Sequence, residues 1–185
     1  MQHAPFASAI VVVTAALVTV TAVAGCDVCD GADGLDGSFV LRTQDDVDAF
    51  PDGKCVRGDL SIGSADGQFA TNDSITDVSK LAALELVEGT VSVEGNKVLQ
   101  SLSLPALTYA GRRLLEPDGN ANKVRGGLFI NANQSLTAID LPALTDVGGC
   151  FTIIENGALD PGVADAIFRK TKTHAVPGAG SSAYG

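Results

Sequence analysis

The sequence predicts a mainly β chain, a solenoid in which short strands stack copy upon copy into a parallel sheet. Three observations predict it. A seven-residue pattern, Val-x-Gly-x-Φ-x-Φ with Φ apolar, occurs four times: VRGDLSI at 56–62, VEGTVSV at 87–93, VRGGLFI at 124–130 and VGGCFTI at 147–153. A second block is linked to it. Asparagine follows the last Φ by three residues in three copies (Asn96, Asn133, Asn156), and leucine follows by six (Leu99, Leu136, Leu159). LSLPAL at 102–107 is then matched by IDLPAL at 139–144, with a looser version in Ile75, Val78, Leu81 and Leu84. The third observation is that both flanks read as short helices, and a stack of repeats needs caps at its ends. The period is 147 − 124 = 23 residues; the intervals 124 − 87 = 37 and 87 − 56 = 31 are one period plus 14 and plus 8. Self-similarity at a period of this size is the signature of repeat folds.

The elements follow in chain order. Residues 1–25 contain none of the 22 acids and none of the 12 bases, and ASAIVVVTAALVTVTAVA at 7–24 has the character of a signal-peptide h-region. Its end, Val23-Ala24-Gly25-Cys26, resembles the lipobox of bacterial lipoproteins. That resemblance implies acylation of the Cys26 thiol and cleavage just before it, although the n-region MQHAPF lacks Lys and Arg. An uncleaved anchor, since 18 apolar residues just span a bilayer, and plain secretion are the alternatives. All three place residues 27–185 outside the cytoplasm. The acidic, glycine-rich stretch 26–38 is expected to be a flexible spacer lifting a domain off the membrane. A calcium reading of Asp30, Asp33 and Asp36 lacks the bidentate downstream acid, and two glycine triplets are too few for a collagen helix.

Thr43, followed three residues later by Asp46, reads as a capping-box start of a short helix carrying Val47 and Phe50 inward. In the repeats, alternation puts Leu60/Ile62, Val91/Val93, Leu128/Ile130 and Phe151/Ile153 on one face of each strand. One short strand cannot bury that face; stacking at about 4.8 Å makes a continuous core. The same register puts Ser61, Ser92, Phe129 and Thr152 in one outward row. It also puts Arg57, Glu88 and Arg125 in a charge ladder worth about 0.2–1 kcal/mol per pair. The glycine before each strand suits a bend that a Cβ obstructs. The asparagines suit a corner, where their amides bond stranded backbone groups and one another. Pro105 and Pro142 fall just after a strand, where no ladder donor is needed. The segment 111–123, GRRLLEPDGNANK, breaks the period and brings Arg112 and Arg113 into an acidic chain. Irregular loops on rigid scaffolds often carry recognition, and insertions there cost little. Asp160 as N-cap and Pro161 at the first helical position open an amphipathic helix that runs through Val163, Ala166 and Ile167. The tail has nothing to pack and is expected to be disordered. The domains expected are therefore a signal peptide at 1–25, a lipid-anchored spacer at 26–38, a solenoid at 39–172 and a disordered tail at 173–185.

Four cysteines suit an oxidising compartment. With Cys26 taken up by lipid, Cys29, Cys55 and Cys150 remain, an odd number, so one thiol stays free or pairs between chains. Cys29 is expected to pair with Cys55, a bond worth about 3 kcal/mol in the chain-entropy model. Cys150, in the fourth copy, lies three strand spacings or about 14 Å away, beyond the roughly 7 Å that a disulfide spans between Cα atoms. Its side chain is expected to point outward and to be half-buried.

The run from Val40 to about Lys170 resembles the receptor L-domain superfamily. The matching features are a polar helix ending at a cysteine (Asp45 to Cys55), the Val-x-Gly-Asp-Leu-x-Ile run at 56–62, Leu-x-x-Leu-x-Leu-Pro-x-Leu at 99–107 and Val-Gly-Gly at 147–149. The resemblance implies a right-handed parallel β-helix with leucine-rich-repeat character and supports the Cys29–Cys55 bond as the closure of its first turn. It does not imply receptor function, because receptors pair two such domains around a cysteine-rich module.

Composition narrows function. With 12 Lys+Arg against 22 Asp+Glu the formal charge is −10, which argues against nucleic acid and anionic surfaces. At 45% hydrophobic residues the chain is too apolar for a disordered one. No catalytic motif stands out: a nucleophilic Cys150 lacks a partner histidine, since His174 opens the tail. Asp118-Gly119-Asn120 begins like a calcium loop, but Lys123 stands at the turn glycine and Phe129 at the glutamate. No catalytic residue, metal or cofactor is expected. The expected function is a lipid-anchored envelope protein whose solenoid recognises a protein or glycan, with Arg112, Arg113 and Phe129 as candidate binding residues. A structural envelope component without a discrete ligand is the alternative, and a carbohydrate-active β-helix enzyme a remote one.

Overall fold

The structure, a computed structural model, describes residues 29, 33–64, 72–111, 126–173 and 182–184. It is mainly β, and its strand pairs are parallel. One six-stranded sheet runs β1 (Gly34–Leu35), β3 (Cys55–Val56), β5 (Leu86–Val87), β8 (Tyr109–Ala110), β11 (Asp146–Val147), β13 (Lys172–Thr173). A second runs β2 (Phe39–Leu41), β4 (Leu60–Gly63), β6 (Thr90–Glu94), β9 (Gly127–Asn131), β12 (Cys150–Ile154), β14 (Ser182–Tyr184). A third pairs β7 (Ser101–Ser103) with β10 (Ala138–Asp140). In both large sheets the strands lie in chain order, so each sequence copy sits beside the next.

The alternation explains why. Leu60, Val91, Leu128 and Phe151 are register partners, as are Ile62, Val93, Ile130 and Ile153, and none is more than 2% exposed. Val56, Val87, Ala110 and Val147 from the first sheet and Leu102, Leu104 and Leu107 from the second block join them in one core. A fully buried aliphatic side chain contributes about 1.5–3 kcal/mol, and none of these strands buries its own without neighbours.

The turn asparagines form a buried ladder. Asn133 Oδ1 accepts from the backbone N–H and Nδ2 of Asn96 at 3.1 and 3.0 Å, while Asn133 Nδ2 donates to Val93 O at 2.8 Å and to Asn156 Oδ1 at 3.0 Å. Asn156 Nδ2 continues to Ile130 O at 2.7 Å. The Asn96 and Asn133 amides thus each tie three successive copies, and that of Asn156 ties the last two, at a corner where the backbone turns out of the sheet. The residues just before them, Gly95, Ala132 and Glu155, have left-handed φ of 70°, 56° and 59°.

The pattern glycines make room for a neighbouring backbone. A Cβ on Gly89 would lie 2.6 Å from the carbonyl oxygen of Gly58, and one on Gly126 2.9 Å from that of Gly89. At Gly89 crowding, rather than a left-handed φ, excludes a side chain.

The third copy corrects the sequence register. Val87 pairs with Ala110, and Ala110 with Val147, so Ala110 rather than Val124 occupies the valine position. Val87 to Ala110 is 110 − 87 = 23 residues, a full period, and the extra 14 residues, 112–125, separate Gly111 from Gly126. Glu88 follows Arg57 in the row, its N–H donating to Val56 O at 2.8 Å, but the next position belongs to Gly111, bonded to Val87 O at 3.0 Å. The charge ladder is therefore not as expected, and Arg125 lies outside the described residues. Asn72, which the repeat pattern did not single out, bridges to Asn96.

Both helices start where expected. Thr43 caps α1 (Gln44–Asp48) with the reciprocal Asp46 bonds in place; Val47 and Phe50 are buried, and Phe50 meets Phe39 edge-on with centroids 5.1 Å apart. The backbone N–H of Arg42, then the hydroxyl and N–H of Thr43, hold the Asp46 carboxyl below the ordinary range. Asp160 caps α2 (Pro161–Lys170), which buries Ala164 and Ile167 and sets Phe168 4.3 Å from Phe151. Ala166 is exposed.

Two flanking expectations differ from the structure. The stretch read as a flexible spacer contributes β1, paired with Cys55 and Val56, and buries Cys29. Within the tail read as disordered, Ser182–Tyr184 forms β14 against β12. Residues 1–28 and 174–181 lie outside the described residues, and with them the signal peptide and Cys26.

Candidate functional site

The outward side of the second sheet is the candidate site. Its central row comprises Val40, Ser61, Ser92, Phe129 and Thr152, brought side by side by consecutive register pairs. Parallel strands repeat at about 4.8 Å, so the row presents one side chain per strand. Val40 is 44% exposed; Ser61, Ser92, Phe129 and Thr152 are half-buried. The sequence register of the row thus matches the observed pairing, with Val40 as a member it missed.

Two rows flank it. One holds Asp59, Thr90, Gly127 and Cys150. Asp59 is engaged by the backbone, its Oδ1 accepting from Thr90 N–H at 2.7 Å. The other holds Glu94, Asn131 and Ile154, where Asn131 Nδ2 donates to Glu94 Oε1 at 3.2 Å. The face therefore offers hydroxyls, a carboxylate–amide pair and one phenyl ring. Such a ring carries 150–250 Å² of apolar surface, the kind of anchor that polar surroundings frame at recognition sites. Its rows contain no Lys or Arg, so the face is suited to a hydrogen-bonding partner rather than a polyanion.

The other predicted residues fall apart from this face or beyond view. Arg112 and Arg113 lie outside the described residues, so their relation to Phe129 rests on sequence proximity to Gly126–Gly127. Cys29 and Cys55 have sulfurs at disulfide distance, with Cα atoms 5.5 Å apart, at the first-strand end of the molecule. Cys150 carries a free thiol on the outward side and is exposed rather than half-buried, because its strand neighbour is Gly127, which has no side chain to cover it.

One concavity was not foreseen. An open cleft of about 420 Å³ separates β10 from α2, walled by Ile139, Val163 and Ile167, with Asp140 and Asp160 at its rim. Lys170 Nζ bonds the carbonyl of Leu141 at 2.5 Å across it. No periodic signal marks this place, because it lies between a repeat element and a cap.

Among the described residues no group of three or more His, Cys, Asp or Glu is placed to hold a metal ion, and no helix is long and apolar enough to cross a membrane. Comparison of the chain with protein-family models, characterised proteins and solved structures gives no match.

Proposed function

We propose that this chain is a non-enzymatic, lipid-anchored cell-envelope protein that recognises a protein or glycan partner. In this reading the repeats form a right-handed parallel β-helix of receptor L-domain type, acylated at Cys26. The chain order of strands in both large sheets and the single core they share support the solenoid. The lipobox-like Val23–Cys26 and the charge-free leader support the anchor.

The observation that carries the recognition reading is Phe129. It stands half-buried in a row otherwise made of small hydroxyl residues and Val40, on a strand paired to a neighbour on both sides. A preorganised face loses little freedom on binding.

The test uses the mature protein immobilised against an envelope extract. Retention of a defined species that is lost in an Arg112→Ala/Arg113→Ala/Phe129→Ala variant of unchanged fold is the expected result. Removing an aromatic anchor should weaken binding about tenfold or more. Equal retention by both proteins, or none by either, would favour a structural envelope element without a discrete ligand.

A further inference from the structure

The position of Cys29 fixes how an anchored molecule must stand. Cys29 is 3% exposed and lies at disulfide distance from Cys55, and its carbonyl accepts from Arg57 Nη2 at 2.7 Å. Arg57 Nη1 also holds Asp36 Oδ1 at 2.5 Å, and Gly34 and Leu35 pair with Cys55 and Val56. The described part of the supposed spacer is thus fastened to the fold at several points.

Only three residue steps separate Cys26 from Cys29. An extended chain covers at most about 3.6 Å per residue, so the acylated residue lies within about 11 Å of Cys29. That is too short to lift a domain clear of headgroups. Meanwhile β1 and β2 are the end strands of the two large sheets, and β13 and β14 are the opposite ends. Five strand spacings, about 24 Å, separate β2 from β14.

We infer that the domain stands on the bilayer by its first-strand end, with β1, β2 and α1 against the headgroup layer and α2 outermost. The inference rests on the anchoring proposed above. The charge at this end selects the lipid: Asp33, Asp36, Asp45 and Asp48 are exposed there, against Arg42 and the Arg57 that pairs with Asp36, which leaves the acids in excess. Anionic headgroups within a Debye length of about 10 Å would repel such a surface, so the partner is a zwitterionic lipid surface. The row from Val40 to Thr152 then runs away from the membrane, and its recognition face opens sideways with Phe129 beyond the first strands.

The test reconstitutes the full acylated protein in phosphatidylcholine vesicles carrying an acceptor dye on the headgroup. Donor dyes are attached to Asp48→Cys or Asp165→Cys in a Cys150→Ser background. Both positions are exposed, one on α1 and the other on α2. Energy transfer from position 48 should exceed that from 165 several-fold, and anionic lipid should narrow the difference. Inserting about ten Gly/Ser residues between Asp27 and Val28 should abolish it, because a flexible linker lets the domain tumble. Equal transfer from the two positions, in a protein that floats with vesicles and carries acyl chains on Cys26, would overturn the orientation and leave the anchor standing. Failure to float, with no acyl chain on Cys26, would overturn both.

Discussion

Replacing Asn133 by alanine should be among the most damaging single changes in the molecule. Its side chain is fully buried and makes four hydrogen bonds: two accepted from Asn96, one donated to Val93 O and one donated to Asn156 Oδ1. An intramolecular hydrogen bond is worth about 0.5–1.5 kcal/mol net, and each buried group left without a partner costs about 1–3 kcal/mol. The variant strands the Asn96 N–H and the Val93 carbonyl together, so the loss should be about 4 kcal/mol. That is a large part of the 5–15 kcal/mol typical of a domain. Urea unfolding of the mature, disulfide-intact protein measures it as a lower midpoint with an unchanged m-value. Asn96→Ala and Asn156→Ala should cost less. Each loses three bonds instead of four, and Asn96 Oδ1 has no hydrogen-bond donor among the described residues. Asn133→Asp sets a carboxylate oxygen against Val93 O and Asn156 Oδ1. Its folded pKa would rise, so this variant should recover stability as the pH falls. A loss below about 1 kcal/mol for Asn133→Ala would refute the ladder as a stabilising device.

Other changes test separate parts of the account. Gly89→Ala drives a Cβ to 2.6 Å from a backbone oxygen and should cost about 2 kcal/mol or more, whereas Gly157→Ala, with nothing within 4 Å, should stay within about 0.5 kcal/mol in the same urea assay. Ala132→Gly relieves a left-handed φ of 56° and should raise stability by about 0.5 kcal/mol, the steric relief exceeding the entropy of glycine. The Asp46 carboxyl, lowered by its capping bonds, contributes stability above the unfolded pKa of about 3.9 and loses it as pH falls through the lower folded value. An NMR titration should show that midpoint moving upward in Thr43→Ala. A thiol reagent on the folded, non-reduced protein should modify Cys150 and spare Cys29 and Cys55; a peptide linking Cys150 to either would contradict the strand order.

The core was legible because burial imposes a period. Leu60/Ile62 and their partners alternate in every copy, and the asparagines mark corners that only a short amide satisfies. Caps were legible too, since Thr43/Asp46 and Asp160-Pro161 state their chemistry locally. What escaped depends on partners distant in sequence. Ala110 holds the valine position with a smaller apolar side chain that is fully buried, and the Val-Arg-Gly at 124–126 imitates the pattern in sequence. Asn72 stands ten residues after Ile62 rather than three, yet bridges to Asn96, which no spacing rule reveals. The 26–38 stretch looks like a linker by composition, yet Cys29 and Arg57 fasten it through contacts 26 and 28 residues apart in sequence. Ser182–Tyr184 carries no alternation to read; it adds to the sheet through backbone pairing to β12. On the candidate face, register foretold the row but not the exposure of Cys150, which follows from Gly127 beside it.

The central claim, an envelope recognition protein held by lipid at its first-strand end, is tested most directly by mass spectrometry of the mature N-terminus. The account predicts a chain beginning at Cys26 with acyl mass on that residue, and Cys29 linked to Cys55 in the non-reduced digest. An intact Met1, or a cleaved chain with an unmodified Cys26, would contradict it.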